Sequence, residues 1–178
     1  MKLLSFIVVS VLLASCSDFS KGEQLESIAQ LNKTVDSIET VLIENKIEDL
    51  EEISIDAETV TSRIKENLNS DTLDLKLAKK IDAYMQMYRS ISNYKKIYSK
   101  LKVFTKEEKI TLNKLQKDIE NGDGHRKKYS EYVLFETKKV KQLTGVLNHY
   151  VKGRKKAIDT SLAYHDSLYD FAFELITE

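Results

Sequence analysis

The chain is 178 residues long and electrically balanced, with 28 basic and 28 acidic side chains, so it offers no electrostatic case for binding nucleic acid. It holds one cysteine, which excludes an internal disulfide. Proline and tryptophan are absent, glycine numbers five and 31% of residues are charged; such a chain is poor in turn formers and rich in helix formers, and predicts an all-α protein.

Met1-Lys2 opens with one positive side chain, and Leu3 to Leu13 is apolar except for Ser5 and Ser10. A short basic start, an apolar run of about 7–15 residues and small residues at the cut define an export signal. The run is too short to span a bilayer, which takes roughly 17–25 helical residues. Leu13-Ala14-Ser15-Cys16 then resembles the lipobox of bacterial lipoproteins. That resemblance covers residues 1–16. It implies a signal peptide over 1–15, cleavage between Ser15 and Cys16, a diacylglyceryl group on the Cys16 sulfur and an acyl chain such as palmitate on its amine. Two or more acyl chains hold a protein stably on a membrane where one does not. By the same resemblance, Ser17, standing where Asp retains a lipoprotein in the inner membrane, implies the outer membrane, on its periplasmic side or at the cell surface.

Residues 16–22 read as the lipidated cysteine and a short tether, and 23–178 as a single helical domain. From Glu23 to Asn69 the apolar positions Leu25, Ile28, Leu31, Val35, Ile38 and Leu42 form one helical stripe. The stripe resumes as Ile47, Leu50, Ile53, Ala57, Val60, Ile64 and Leu68. The step from Leu42 to Leu50 is one residue longer than a heptad and predicts a local bend. Ser54-Ile55-Asp56 is a second weak point, where Asp56 suits a restarted helix. Asn69-Ser70-Asp71-Thr72 signals a turn. A helix from Leu73 to Lys102 then buries Leu77, Ile81, Tyr84, Tyr88, Ile91, Tyr98 and Leu101. Thr105-x-x-Glu108 has the spacing of a capping box and predicts a new helix carrying Ile110, Leu112, Leu115 and Ile119. Asn121-Gly122-Asp123-Gly124 is the strongest turn. The last helix, from His125, carries Tyr129, Val133, Val140, Leu143, Leu147, Tyr150, Ala157, Leu168, Phe171 and Leu175.

At 1.5 Å per residue the first and last helices each span roughly 70–80 Å, and the two middle pieces sum to roughly 70 Å. The arithmetic favours an elongated antiparallel bundle of three legs, the second split near Thr105. The alternative is an uneven four-helix bundle in which the chain reverses there. Charge favours three legs. Asp36–Glu58 holds nine acids and one base, and Arg126–Lys156 ten bases and two acids, so the first and last legs complement each other along a shared seam.

No constellation of catalytic residues is apparent. His125, His149 and His165 have no metal-ligating neighbour at helical spacing, and a metal site needs three or four convergent ligands, so no metal and no cofactor is expected. Two partner faces are. Tyr84, Met87, Tyr88, Tyr94 and Tyr98 share a helix, and tyrosine and methionine are favoured at binding surfaces; Tyr94 lies off the stripe and reads as the most exposed. Lys152, Arg154, Lys155 and Lys156 form a basic patch suited to an acidic partner. The expected function is that of a lipid-anchored, non-catalytic envelope adaptor that binds the membrane through Cys16 and another envelope protein through its helices, with self-association open. The alternative is a module that holds a small or peptidic ligand along the Tyr84–Tyr98 face.

Overall fold

The computed structural model describes residues 2–68 and 73–177, with side chains for 20–68 and 73–176. The segment read from sequence as a signal peptide, with Ser15 and Cys16, lies outside the described side chains, and the turn predicted at Asn69–Thr72 falls outside the described residues. Four α-helices and no strand are present among the described residues: α1 (Lys2–Glu44), α2 (Glu48–Asn67), α3 (Leu75–Asn121) and α4 (Tyr129–Thr177). Ser20–Gly22, read from sequence as tether, continue α1. None of the described helices is long and apolar enough to cross a membrane. The fold is an all-α antiparallel bundle, and it divides into two compact units.

Unit 1 combines the chain up to Thr40 with Val103–Gly145. Contacts between α1 and α3 fall in number along one helix as they rise along the other: Lys21 with Glu120, Asn32 with Gln116, Asp36 and Glu39 with Lys109. That order is the signature of antiparallel packing. Ile28 and Val35 of α1 meet Leu112, Leu115 and Ile119 of α3 and Tyr129, Val133 and Val140 of α4. Each such aliphatic side chain contributes about 1.5–3 kcal/mol when fully buried.

The α3–α4 turn forms where the sequence predicts it. Gly122 and Gly124 adopt φ of 73° and 75°, the left-handed region that glycine enters without a Cβ penalty. Asp123 N–H donates to the Asp118 carbonyl at 2.8 Å and Gly122 N–H to that of Ile119 at 3.3 Å, which closes α3 with a Schellman motif. The buried Tyr129 hydroxyl donates to the Asp118 carbonyl at 2.8 Å. Burial raises the Tyr129 phenol above its ordinary range.

α3 runs unbroken through Thr105, so the chain neither splits nor reverses there. The Thr105-x-x-Glu108 spacing is not a cap. Both side chains lie on the buried face of a continuous helix, at 3% and 4% exposure. The seam runs Tyr98, Leu101, Thr105, Glu108, Leu112, Leu115 and Ile119 in steps of three and four. That register turns Ile110 outward, at 61% exposure, contrary to expectation.

Unit 2 combines Val41–Lys102 with Val146–Glu178. Its core joins Leu50, Ala57, Val60 and Ile64 of α2, Ile81, Tyr84, Met87 and Ile91 of α3, and Ala157, Leu168 and Ala172 of α4. The helix runs through Ser54–Asp56 without restarting. The break comes instead at the seam slip, at residues 45–47 between α1 and α2. No side chain caps α2, but Glu48, Asp49 and Glu51 in its first turn favour the positive end of its dipole.

A break leaves carbonyls without helical partners, and three side chains answer them. The Tyr150 hydroxyl donates to the Asn45 carbonyl at 2.8 Å, Arg154 Nε to that of Lys46 at 3.0 Å, and the Tyr98 hydroxyl reaches that of Leu42 at 3.5 Å. The Tyr98 and Tyr150 rings pack at 5.4 Å between centroids. Burial drives both phenols upward in pKa. Tyr150→Phe keeps the ring and deletes the donor, so unit 2 should lose about 1–2 kcal/mol in urea unfolding, while Tyr132→Phe at an exposed position should change nothing. Equal stability of Tyr150→Phe and the parent would rule out the Asn45 carbonyl as an anchor.

Candidate functional site

Unit 2 brings parts of the two predicted faces together. Between α3 and α4 lies a groove of about 210 Å³ with Ala83, Met87 and Tyr94 on one wall and Gly153, Ala157 and Lys156 on the other. A shallower depression of about 340 Å³ adjoins it through Lys156 and Thr160, and Lys152 and Lys155 border that depression. Met87 is buried and Tyr94 is half-buried. A Cβ at position 153 would collide with the Tyr94 ring. Gly153, which reads from sequence as a mark of close approach, is therefore the notch into which Tyr94 settles. This is why Tyr94 is half-buried, where an exposed side chain is expected. Its ring also faces His149 at 6.2 Å.

The remaining members of the predicted faces point elsewhere. Tyr84 is fully buried and its hydroxyl bonds His165 Nδ1 at 2.6 Å. Burial, with the nearby Asp56 charge, pushes its phenol up to about 12. Tyr88 packs half-buried on the unit 2 core, and Tyr98 serves the helix break. Arg154 leaves the basic patch to pair with Asp49, as the charge pattern predicts. Lys155 pairs with Asp159 on its own helix at 2.9 Å. That leaves Lys152 and Lys156 as cations with no ion pair among the described residues. The acids of α1 and α2 find α3 as well as α4: Asp36 and Glu39 hold Lys109 at 2.8 and 2.9 Å, and Glu51 reaches Lys95 at 3.8 Å. The hydrogen bonds that Lys109 donates to Asp36 and then Glu39 raise it to about 12.

Two clusters carry no sequence signature. In unit 2, His165, Tyr169 and Phe173 stack down α4 from Tyr84, and the Arg63 guanidinium caps Phe173 at 3.9 Å from the ring centroid. Tyr84 and His165 are 81 positions apart, so no local spacing announces them. In unit 1, Lys139 Nζ lies 2.6 Å from Glu108 and 2.7 Å from Glu136, two carboxylates only 5% and 10% exposed. Glu108 Oε1 and Thr105 Oγ1 beside it are buried without a partner. Burial raises Glu108 first; the Lys139 hydrogen bond opposes that, and a hydrogen bond with Glu136 adds to it. Burial pulls Lys139 down, but its bonds to Glu108 and Glu136 outweigh that and raise it. Paired carboxylates are the material of acid–base chemistry; these two are nearly buried, at 5% and 10% side-chain exposure, beside a lysine that is 38% exposed. Among the described residues no three metal-capable side chains converge.

No protein-family model matches the chain, and no curated protein or solved structure does either.

Gly153→Ala should gain helix propensity but displace Tyr94, for a net loss of about 1–3 kcal/mol. On a Tyr94→Ala background the same change should stabilise by up to about 1 kcal/mol. A double-mutant cycle with no coupling would contradict the notch.

Burial raises the Glu108 carboxyl above its ordinary value in the fold. Its contribution to stability is thus fully present below the ordinary glutamate value of about 4.3, and is lost as pH rises through the higher folded value. Denaturant unfolding across that range should show a falling stability that Glu108→Gln flattens. An unchanged slope in the variant would assign the effect to other groups.

Proposed function

We propose that this protein is a non-catalytic adaptor of the bacterial envelope, held to the membrane by acyl chains on Cys16, and that it takes a protein partner at the α3–α4 groove of unit 2. The observation that carries the partner site is the meeting of Met87 and Tyr94 with Gly153 and Lys156 in one groove. Met87 and Tyr94 beside polar Gln86, Ser90 and Thr160, with Lys156 at the edge, suit a partner segment that offers an apolar side chain flanked by acids. Lys152 and Lys156 are the charges left for it.

The anchor is supported by the residues of the signal: a basic start, an apolar run and Leu13-Ala14-Ser15-Cys16. Ser17 supports the outer membrane, at its periplasmic side or the cell surface. Retention of a small molecule is the second reading. A volume of about 210 Å³ falls below the roughly 300–1,000 Å³ of pockets that enclose such ligands, which favours a partner segment.

Crosslinking in intact cells, followed by affinity purification and mass spectrometry, tests both parts. One abundant partner should be captured by the parent protein, lost with Cys16→Ala and weakened by Lys156→Glu, with crosslinks bordering the groove. Self-crosslinks alone, or the same partner with Cys16→Ala, would sink the tethered adaptor.

A further inference from the structure

Unit 1 has a cavity of its own, of about 370 Å³, where Ser20, Lys21 and Gln24 of α1 meet the α3–α4 turn. Lys21, Gln24, Arg126 and Lys127 line it, with Glu120 as its one acid. Lys21 Nζ donates to the Glu120 carbonyl at 2.8 Å, and Arg126 Nε to the Gly122 carbonyl at 2.7 Å. Each bond uses one proton and fixes the cation in place, leaving its other N–H groups for a ligand. Lys127 is exposed, and none of the three makes an ion pair with a carboxylate among the described residues. The Glu120 carboxylate accepts from Gln116 at 2.8 Å. A cavity with three cations, two of them held by backbone carbonyls, and one acid suits a tetrahedral anion. A guanidinium fork with two ammonium groups is the arrangement that phosphate takes.

Location narrows the source. Ser20, which borders this cavity, lies four positions after Cys16, with three residues between them. A chain in any conformation spans at most about 14 Å over that distance. Acyl chains on Cys16 would therefore bring the cavity to the headgroup layer. We propose that it binds the phosphate of an anionic phospholipid beside the anchor, so that a lipid headgroup holds the turn end of unit 1 at the surface. The proximity rests on the proposed acylation; the anion chemistry does not.

The acylated protein would be reconstituted into vesicles of phosphatidylcholine, with or without phosphatidylglycerol. Flotation reads the anchor, and hydrogen exchange of a peptide spanning Ile119–Tyr129 reads the cavity. Phosphatidylglycerol should slow exchange there. Lys127→Glu should reduce that protection by about fivefold or more, since one basic group at an anionic surface is worth about that factor. Lys114→Glu, an exposed lysine outside the cavity, should leave it unchanged.

Equal exchange on both vesicles, with no response to inorganic phosphate, would overturn the site. Protection by inorganic phosphate on phosphatidylcholine that matches phosphatidylglycerol would overturn the lipid as its source. Failure to float would overturn acylation, and the inorganic phosphate arm would then decide the cavity alone.

Discussion

Three orphaned carbonyls organise unit 2. Where α1 ends and α2 begins, the backbone gives up helical hydrogen bonds over residues 45–47. An unpaired carbonyl costs about 1–3 kcal/mol when buried and less toward solvent; the bond to Leu42 is buried, that to Asn45 part-buried and that to Lys46 exposed. Tyr98, Tyr150 and Arg154 supply the partners from α3 and α4. The same side chains thereby fix the register of both helices against the break. They also withdraw Tyr98 and Arg154 from the two faces read from the sequence as candidate partner surfaces. The one-residue slip between Leu42 and Leu50 is thus a pinned corner, held by side chains far away in sequence.

A second constraint runs through the seams of α3 and α4. Thr105, Glu108 and Glu136 occupy positions that the three-and-four rhythm reserves for apolar residues. Each is buried. A helix continues through such positions because its backbone bonds are local, while the polar side chains must find partners inside. Lys139 bonds one oxygen of each carboxylate, Glu108 Oε1 is left without a partner, and burial raises the Glu108 carboxyl above its ordinary range. Replacing such a cluster with apolar side chains is often neutral or stabilising in proteins, so its ion pairs are weak evidence of added stability.

The proposed partner groove depends on a missing side chain. Gly153 costs helix propensity, roughly 1 kcal/mol against alanine, and in return lets Tyr94 lie against α4. The notch seats an aromatic wall next to Lys156, and small residues at Ala83 and Ala157 keep the groove open. Gly22 and Gly145 have no neighbour within 4 Å of an added Cβ, so the demand for glycine is specific to this notch and to the left-handed turn at Gly122 and Gly124.

Much was legible in the chain itself. The absence of proline, the spacing of apolar residues and the Asn121–Gly124 turn determine an all-α protein, its helical seams and the place where α3 ends, because helix periodicity and turn chemistry are local. The slip at Leu42–Leu50 marked the break for the same reason. Thr105-x-x-Glu108 misled, since a capping box and an i,i+3 pair on a buried helix face share one spacing and differ only in what packs against them. The candidate faces were legible as residue types, not as surfaces: Met87, Tyr94 and Lys156 converge while Tyr84 and Arg154 turn to His165 and Asp49. Those pairings join residues 81 and 105 positions apart. Only the packing of one helix on another decides them, because side-chain contact depends on distance in space and the sequence records distance along the chain.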